Sequence, residues 1–173
     1  MEYPSAWQSF AHERWDFSYP ELSAVSRGER MQKLRGYVTS GFRIAGSNLR
    51  HVVPLIVERT GLPCVVEGTL NVQIEAPYIV PPDAMITADE YNGLEAIKLQ
   101  RCRIGGFRAV IMRPTMHETV PGFGHGTSHL ELLSHVHLRT VLHLDDDARV
   151  EVELEGIGNW WVDTSESFEP PIP

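Results

Sequence analysis

The sequence predicts a mainly β domain, a compact closed barrel interrupted by one or two short helices, and three observations carry that prediction. Short segments alternate polar and apolar side chains, as in Thr69-Leu-Asn-Val-Gln-Ile74 and Arg149-Val-Glu-Val-Glu-Leu154, the period of a strand with one covered face. Gly105-Gly106 separates two further β-rich runs and is a strong hairpin turn. Only two stretches show helical spacing. They interrupt the strands instead of alternating with them, which argues for a barrel with inserted helices over a doubly wound sheet.

Residues 1–33 are rich in aromatic and charged side chains (Trp7, Phe10, Trp15, Phe17, Tyr19) and read as an N-terminal extension. The barrel domain is expected over 34–156. Arg35-Gly-Tyr-Val-Thr-Ser40 is its first strand, stopping at Gly41. Leu49, Val52, Val53, Ile56 and Val57 recur at helical spacing, with Ser47 or Asn48 as N-cap and Gly61-Leu-Pro63 as the stop. The Thr69–Ile74 run is a half-buried strand, and 94–103 with 107–112 form the hairpin around the two glycines. A short helix is expected over 136–142, and Asp145-Asp146-Asp147 turns the chain into the last strand. Residues 157–173 form a tail in which Trp160-Trp161 precedes a proline-rich end that cannot continue regular structure. The two aromatic ends are candidates to cover each other or a neighbouring subunit, the second case giving a homo-oligomer.

A chain of 173 residues with 42% hydrophobic and 22% charged side chains is long enough to bury a core without metal or disulfide staples. The net charge of −8, from 23 acidic and 15 basic residues, excludes a general nucleic-acid binder, which needs a basic face. It leaves room for a small anionic ligand wherever a metal and local geometry outweigh the overall field. Cys64 and Cys102 form no CxxC pair and read as free thiols in a reducing compartment. No apolar run reaches the ~20 residues needed to span a bilayer, and the N-terminus lacks the pattern of a secretory signal. The expectation is a cytoplasmic protein with no membrane partner.

Four constellations can carry chemistry. Thr69 and Asn71, two apart on a strand, put a hydroxyl and an amide carbonyl on one face. Both are neutral oxygen donors suited to Mg²⁺, which takes few protein ligands while phosphates and water supply the rest. The same pair would also suit an ordinary solvent face. The loop Gly41-Phe42-Arg43-Ile44-Ala45-Gly46 has the glycine spacing of a P-loop. Ser47 and Asn48 stand where Lys and Ser/Thr belong, so it is either another phosphate cradle at a helix start or a plain turn. Pro114-Thr115-Met116-His117-Glu118 leads into the glycine-rich segment 121–126, a lid or a surface loop. Glu131 can accept a proton and Arg139 can meet a phosphate; helical ion pairs are the simpler reading. Six histidines between His117 and His143 raise a transition-metal alternative. Against it, the closest pairs, His125/His129 and His135/His137, lack helical geometry or a cysteine partner.

In combination these segments resemble the archaeal CTP-dependent riboflavin kinase family over about 34–156. The order is Gly-Tyr-Val-Thr-Ser-Gly41, a helix, Glu-Gly-Thr-Leu-Asn71, Tyr91-Asn92-Gly93 leading into a hairpin around Gly105-Gly106, Pro-Thr-Met-His117, Glu131 to Leu138-Arg139, and Leu-His-Leu-Asp-Asp-Asp147. The resemblance implies a six-stranded cradle-loop barrel. It implies phosphoryl transfer from CTP, or another nucleoside triphosphate, to the 5′-hydroxyl of riboflavin, giving FMN. Thr69 and Asn71 would hold Mg²⁺, and Thr115 and Glu131 would contact the flavin. Val136, His137, Leu138 and Arg139 would line the nucleotide pocket with Gly41 to Gly46. Glu131 is the first candidate for general base and His117 the second. Arg43 and Ala45 replace glycines of the family's Gly-x-Gly-x-Gly loop, the 118–129 connection is longer, and both aromatic ends are additions. A non-catalytic nucleotide- or flavin-binding barrel and a histidine-loop metal protein are the alternatives.

Overall fold

A computed structural model describes residues 32–41 and 50–154. Residues 1–31 of the expected N-terminal extension, the tail from 157, and Phe42 to Asn48 of the expected nucleotide loop with its N-cap candidates lie outside the described residues, while Gln32 and Lys33 belong to the first strand.

Seven strands form one antiparallel sheet in the order β3-β4-β5-β6-β2-β1-β7. They are β1 (Gln32–Thr39), β2 (Leu70–Ile74), β3 (Ala84–Ile86), β4 (Ile97–Ile104), β5 (Phe107–Pro114), β6 (His129–Ser134) and β7 (Arg149–Leu154). Pairing of β7 back onto β4, Cys102 opposite Leu154 and Ile104 opposite Val152, closes six of them into a barrel. The short β3 takes the other half of the same β4 edge, at Ile97 to Leu99. Closure removes the open edges that would otherwise invite pairing with another chain.

The hairpin at Gly105-Gly106 matches the sequence reading. Both glycines have positive φ, 55° and 83°, as a two-residue turn matching the strand twist requires. Helix α1 (Val53–Thr60) starts later than the periodicity of Leu49 and Val52 suggested. Pro54 lies in its first turn and Val52 occupies the N-cap without a side-chain cap. Proline lacks the N–H that a helix interior needs, so it fixes the start where apolar spacing does not. Gly61 ends α1 in the left-handed conformation, its N–H bonding Val57 O at 2.9 Å. Tyr91-Asn92-Gly93 is not a hairpin turn: Asn92, with φ 54°, closes the four-residue helix α2 (Ala88–Tyr91).

Two apolar clusters face opposite sides of the barrel wall. The interior holds Val38, Val72, Ile104, Ile111, Leu130, Leu132 and Val152. Outside, Ile56 and Val52 of the α1 segment cover Ile97, Leu99, Val110, Met112 and Leu133. Covering the outer face at β5 and β6 makes these strands apolar on both sides there, so their sequences do not alternate cleanly. Helices α3 (Met116–Thr119) and α4 (Leu138–Val141) follow β5 and β6. Leu138 reaches the interior cluster.

Candidate functional site

The expected half-buried strand at β2 is buried at four of its five residues, so Thr69 and Asn71 do not form a solvent face. Asn71 is only 6% exposed. It stands opposite Thr39 on β1 and Glu131 on β6, on the outer side of the wall. A Cβ at Gly41 would run into the Asn71 amide, so the start of the expected nucleotide loop lies directly against it. Thr69 immediately precedes the strand, and the Asn71 Nδ2 group donates toward its Oγ1 at 3.3 Å and its carbonyl at 3.4 Å. The predicted neighbourhood of these two side chains is therefore present. The carbonyl half of the amide, however, faces His129, with Asn71 Oδ1 3.1 Å from Nε2.

Glu131 lies on strand β6 and not on a helix, which replaces the ion-pair reading based on helical spacing. Burial lifts its carboxyl above the usual carboxylate range, the Arg113 guanidinium opposing. His125 Nε2 sits 3.4 Å from Glu131 Oε1. The His125 ring stacks on His129 at 4.2 Å and meets His117 edge-on at 6.0 Å. Burial is the leading cause that pushes all three imidazoles down, His117 and His129 to about 4. Each ring therefore favours its neutral form more than a free imidazole does. His117 reaches Glu131 only through His125, and its Nε2 lies where a Cβ on Gly124 would sit. Among the described residues, no three His, Cys, Asp or Glu side chains converge in a way that could hold a metal ion.

Arg113 anchors the loop that carries His125. It is 1% exposed and donates to Gly126 O and to His129 O, the latter at 2.7 Å. Gly122, Gly124 and Gly126 all take positive φ, which lets this loop fold back tightly. Glu118 is committed elsewhere, to Lys98 at 2.6 Å and the Val80 N–H at 2.8 Å. Thr115 caps α3, its N–H bonded to Ala96 O at 2.9 Å and its hydroxyl engaged by Glu95. No hydrogen bond joins it to Glu131 among the described residues, so the structure does not bring the two expected flavin contacts directly together.

On the other side of Thr69 lies a groove of roughly 270 Å³, with 66–70 as one wall and 136–140 as the other, and Leu132 and Ser134 at its base. Val136, His137, Leu138 and Arg139, expected around a nucleotide, all line it. The Val66 N–H bonds Ser134 O at 3.0 Å and holds the walls together. Arg139 donates to Thr39 O and to Asp146 Oδ1, each at 2.7 Å, which draws the 136–139 wall to the end of β1 beside Gly41. Gly68, with φ 101° and no atom near its missing side chain, opens onto this space.

His125, His129, Arg113 and Thr39 carry no local sequence signal for a phosphate-and-flavin site; cross-strand register and the fold of the 121–128 loop, which bring them to Asn71 and Glu131, leave no local signature. No protein-family model matches the chain, and a search of curated proteins finds no match.

Proposed function

We propose that the protein is a Mg²⁺-dependent kinase that transfers the terminal phosphoryl group of CTP, or another nucleoside triphosphate, to the 5′-hydroxyl of riboflavin. The reading is carried by one observation: Thr69 lines the groove walled by 136–139 and is also bonded by Asn71, which stands beside His129 and Glu131. Phosphates lying in the groove would end at the hydroxyl and amide expected to hold the metal. The donor set suits Mg²⁺: the oxygens are neutral, and Thr39 Oγ1, opposite Asn71, is buried without a hydrogen-bond partner among the described residues. Bound Mg²⁺ supplies charge neutralisation on the phosphate oxygens.

The chain's own groups do the rest. The groove holds the nucleotide in line with the acceptor, which is most of what phosphoryl transfer asks of a protein. Glu131, whose carboxylate burial makes a stronger base than an exposed one, accepts the proton of the attacking hydroxyl as the bond to the leaving diphosphate breaks. Arg139 is already engaged by Thr39 and Asp146, so its part is to position the groove wall.

Incubation with riboflavin, Mg²⁺ and a panel of nucleoside triphosphates is expected to yield FMN, with CTP the best donor. No FMN from folded protein with any donor removes the proposal. Thr69→Val keeps the shape and deletes the oxygen; turnover should fall about a hundredfold or more with the melting temperature retained. Unchanged turnover would show that Thr69 is no ligand. Binding of nucleotide or flavin without turnover in the unaltered protein would favour a non-catalytic sensor.

A further inference from the structure

Strand β6 carries a histidine whose ring plane is fixed. His129 is 8% exposed, and its Nε2 lies 3.1 Å from Asn71 Oδ1, which sets the tilt of the ring. Against its flat face lies the ring of His125, with centroids 4.2 Å apart and planes within 12° of parallel. The same His125 side chain brings its Nε2 to 3.4 Å from Glu131 Oε1. It therefore fills two places at once, a slot on a fixed aromatic face and the approach to the expected base. His129 and Glu131 are two apart on β6, so their side chains leave one face of the strand about 7 Å apart. A ribityl chain can bridge that distance between the ring it hangs from and its terminal hydroxyl. The order along the wall fits as well. The groove between 66–70 and 136–140 comes first, then Asn71 opposite Glu131, then His129 opposite Gln73. Phosphates, acceptor hydroxyl and acceptor ring would follow one another in that sequence.

The loop that carries His125 is fastened at its two ends. The Phe123 N–H bonds Val120 O at 3.1 Å on one side; on the other, Arg113 holds Gly126 O and the Tyr78 N–H bonds Thr127 O at 2.9 Å. Gly122 and Gly126 take φ of 74° and 64°, with no atom within 4 Å of where a Cβ would sit. Backbone torsions can change there without collision, so the loop can pivot while its ends stay in place. We propose that the face of His129 is the platform for the planar ring of the acceptor, and that His125 is the stand-in for that ring in the free protein. This rests on the reading of riboflavin as the acceptor. An isoalloxazine ring is flat and larger than an imidazole, and it stacks offset on an aromatic face. Seating it displaces His125 from His129 and, in the same movement, from Glu131, so the base is uncovered only when an acceptor is present. The closed loop also weakens acceptor binding by the fraction of molecules in which the slot is already filled.

The test compares riboflavin binding to the unaltered full chain, His125→Ala and His125→Phe by equilibrium dialysis. Each is measured with and without CDP and Mg²⁺, and melting temperatures establish that the variants fold. Ring-proton NMR of His129 is followed in parallel. His125→Ala removes the stand-in and is expected to bind riboflavin about tenfold more tightly. His125→Phe keeps a flat ring over His129 and should show no such gain. The His129 ring protons should shift on riboflavin addition in the unaltered protein and in His125→Ala. Unchanged or weaker binding by His125→Ala overturns the stand-in while riboflavin remains the acceptor. An equal gain in His125→Phe does the same, since the ring would not be the competitor. Riboflavin binding that leaves the His129 ring protons unmoved overturns the platform. If none of the three proteins binds riboflavin under any of these conditions, the acceptor reading and this inference fall together.

Discussion

On the β7–β1 flank of the barrel, Lys33 bridges Glu151 and Glu153 at 3.1 and 3.0 Å, and Arg35 meets Glu151 at 2.9 Å. On the β2–β6 flank, Asn71, His129 and Glu131 occupy equivalent outward positions with His125 of the 121–128 loop against them, and burial there disfavours charge. Both pairs of strands are antiparallel members of one wall. The difference is what lies over them. Water covers the first flank, so full charges persist there; Glu151 is held below the usual carboxylate range by Lys33 and Arg35. The second is enclosed by the Gly41 turn and the 121–128 loop, so burial dominates and lifts Glu131 while lowering the histidines. An enclosed, hydrogen-bonded site in which burial disfavours charge suits a ligand that brings its own.

The largest effect is expected where the enclosure is anchored. Arg113→Ala removes a buried guanidinium, leaves the carbonyls of Gly126 and His129 without their donor, and opens a cavity at the barrel end. Urea unfolding should show a loss of about 3–5 kcal/mol, and the 121–126 loop should become sensitive to proteolysis. A loss under about 1 kcal/mol would mean that the loop is held by other contacts and that the two flanks differ less than the geometry indicates.

Acid titration separates the flanks next. His117 and His129 have folded values of about 4 against an ordinary 6.5. Above pH 6.5 neither the folded nor the unfolded chain protonates them. Between 6.5 and about 4 the unfolded chain takes up protons that the folded chain resists, so stability falls through that window. Glu131 acts in the opposite sense, since its raised value favours the folded state as the carboxyl is protonated. The histidines, His125 adding to these two in the same sense, should dominate. Denaturation midpoints from pH 7.5 to 4 are expected to fall, and His117→Gln should flatten the decline. A variant with the same acid limb as the unaltered protein would show that the His117 ring is protonated without penalty.

Much of the β framework was legible because it depends on local signals. Gly105-Gly106 announced a two-residue turn, β7 alternated, and Gly61 ended α1. The surroundings of the site were not. Spacing alone left Asn71 open between a ligand and a solvent residue because a lone strand does not reveal whether its second face is covered; that depends on Gly41 and on a strand 60 residues away in sequence, Asn71 facing Glu131. The number of histidines raised a metal site only as an alternative, and nothing in their spacing showed that His125 and His129 stack face to face with polar atoms toward Glu131 and Asn71. Periodicity also misplaced the start of α1, where Pro54 decided. The Thr69–Asn71 neighbourhood was legible because a spacing of two is a local property.

The smallest effect belongs to the exposed flank and serves as the control for the others. Glu151→Ala deletes the carboxylate shared by Lys33 and Arg35, three charges in short contact. Short distances alone would suggest a substantial loss. Water already solvates each of these groups in the unfolded chain nearly as well, and ordering the long Lys33 and Arg35 side chains costs entropy that offsets the attraction. Glu153 also remains 3.0 Å from Lys33 as an alternative partner. The melting temperature should therefore move by less than about two degrees, and by less still in high salt. A fall comparable with that of Arg113→Ala would mean that the β1–β7 seam depends on its charges, and the contrast between a water-covered and an enclosed flank would no longer explain where this barrel keeps its polar groups.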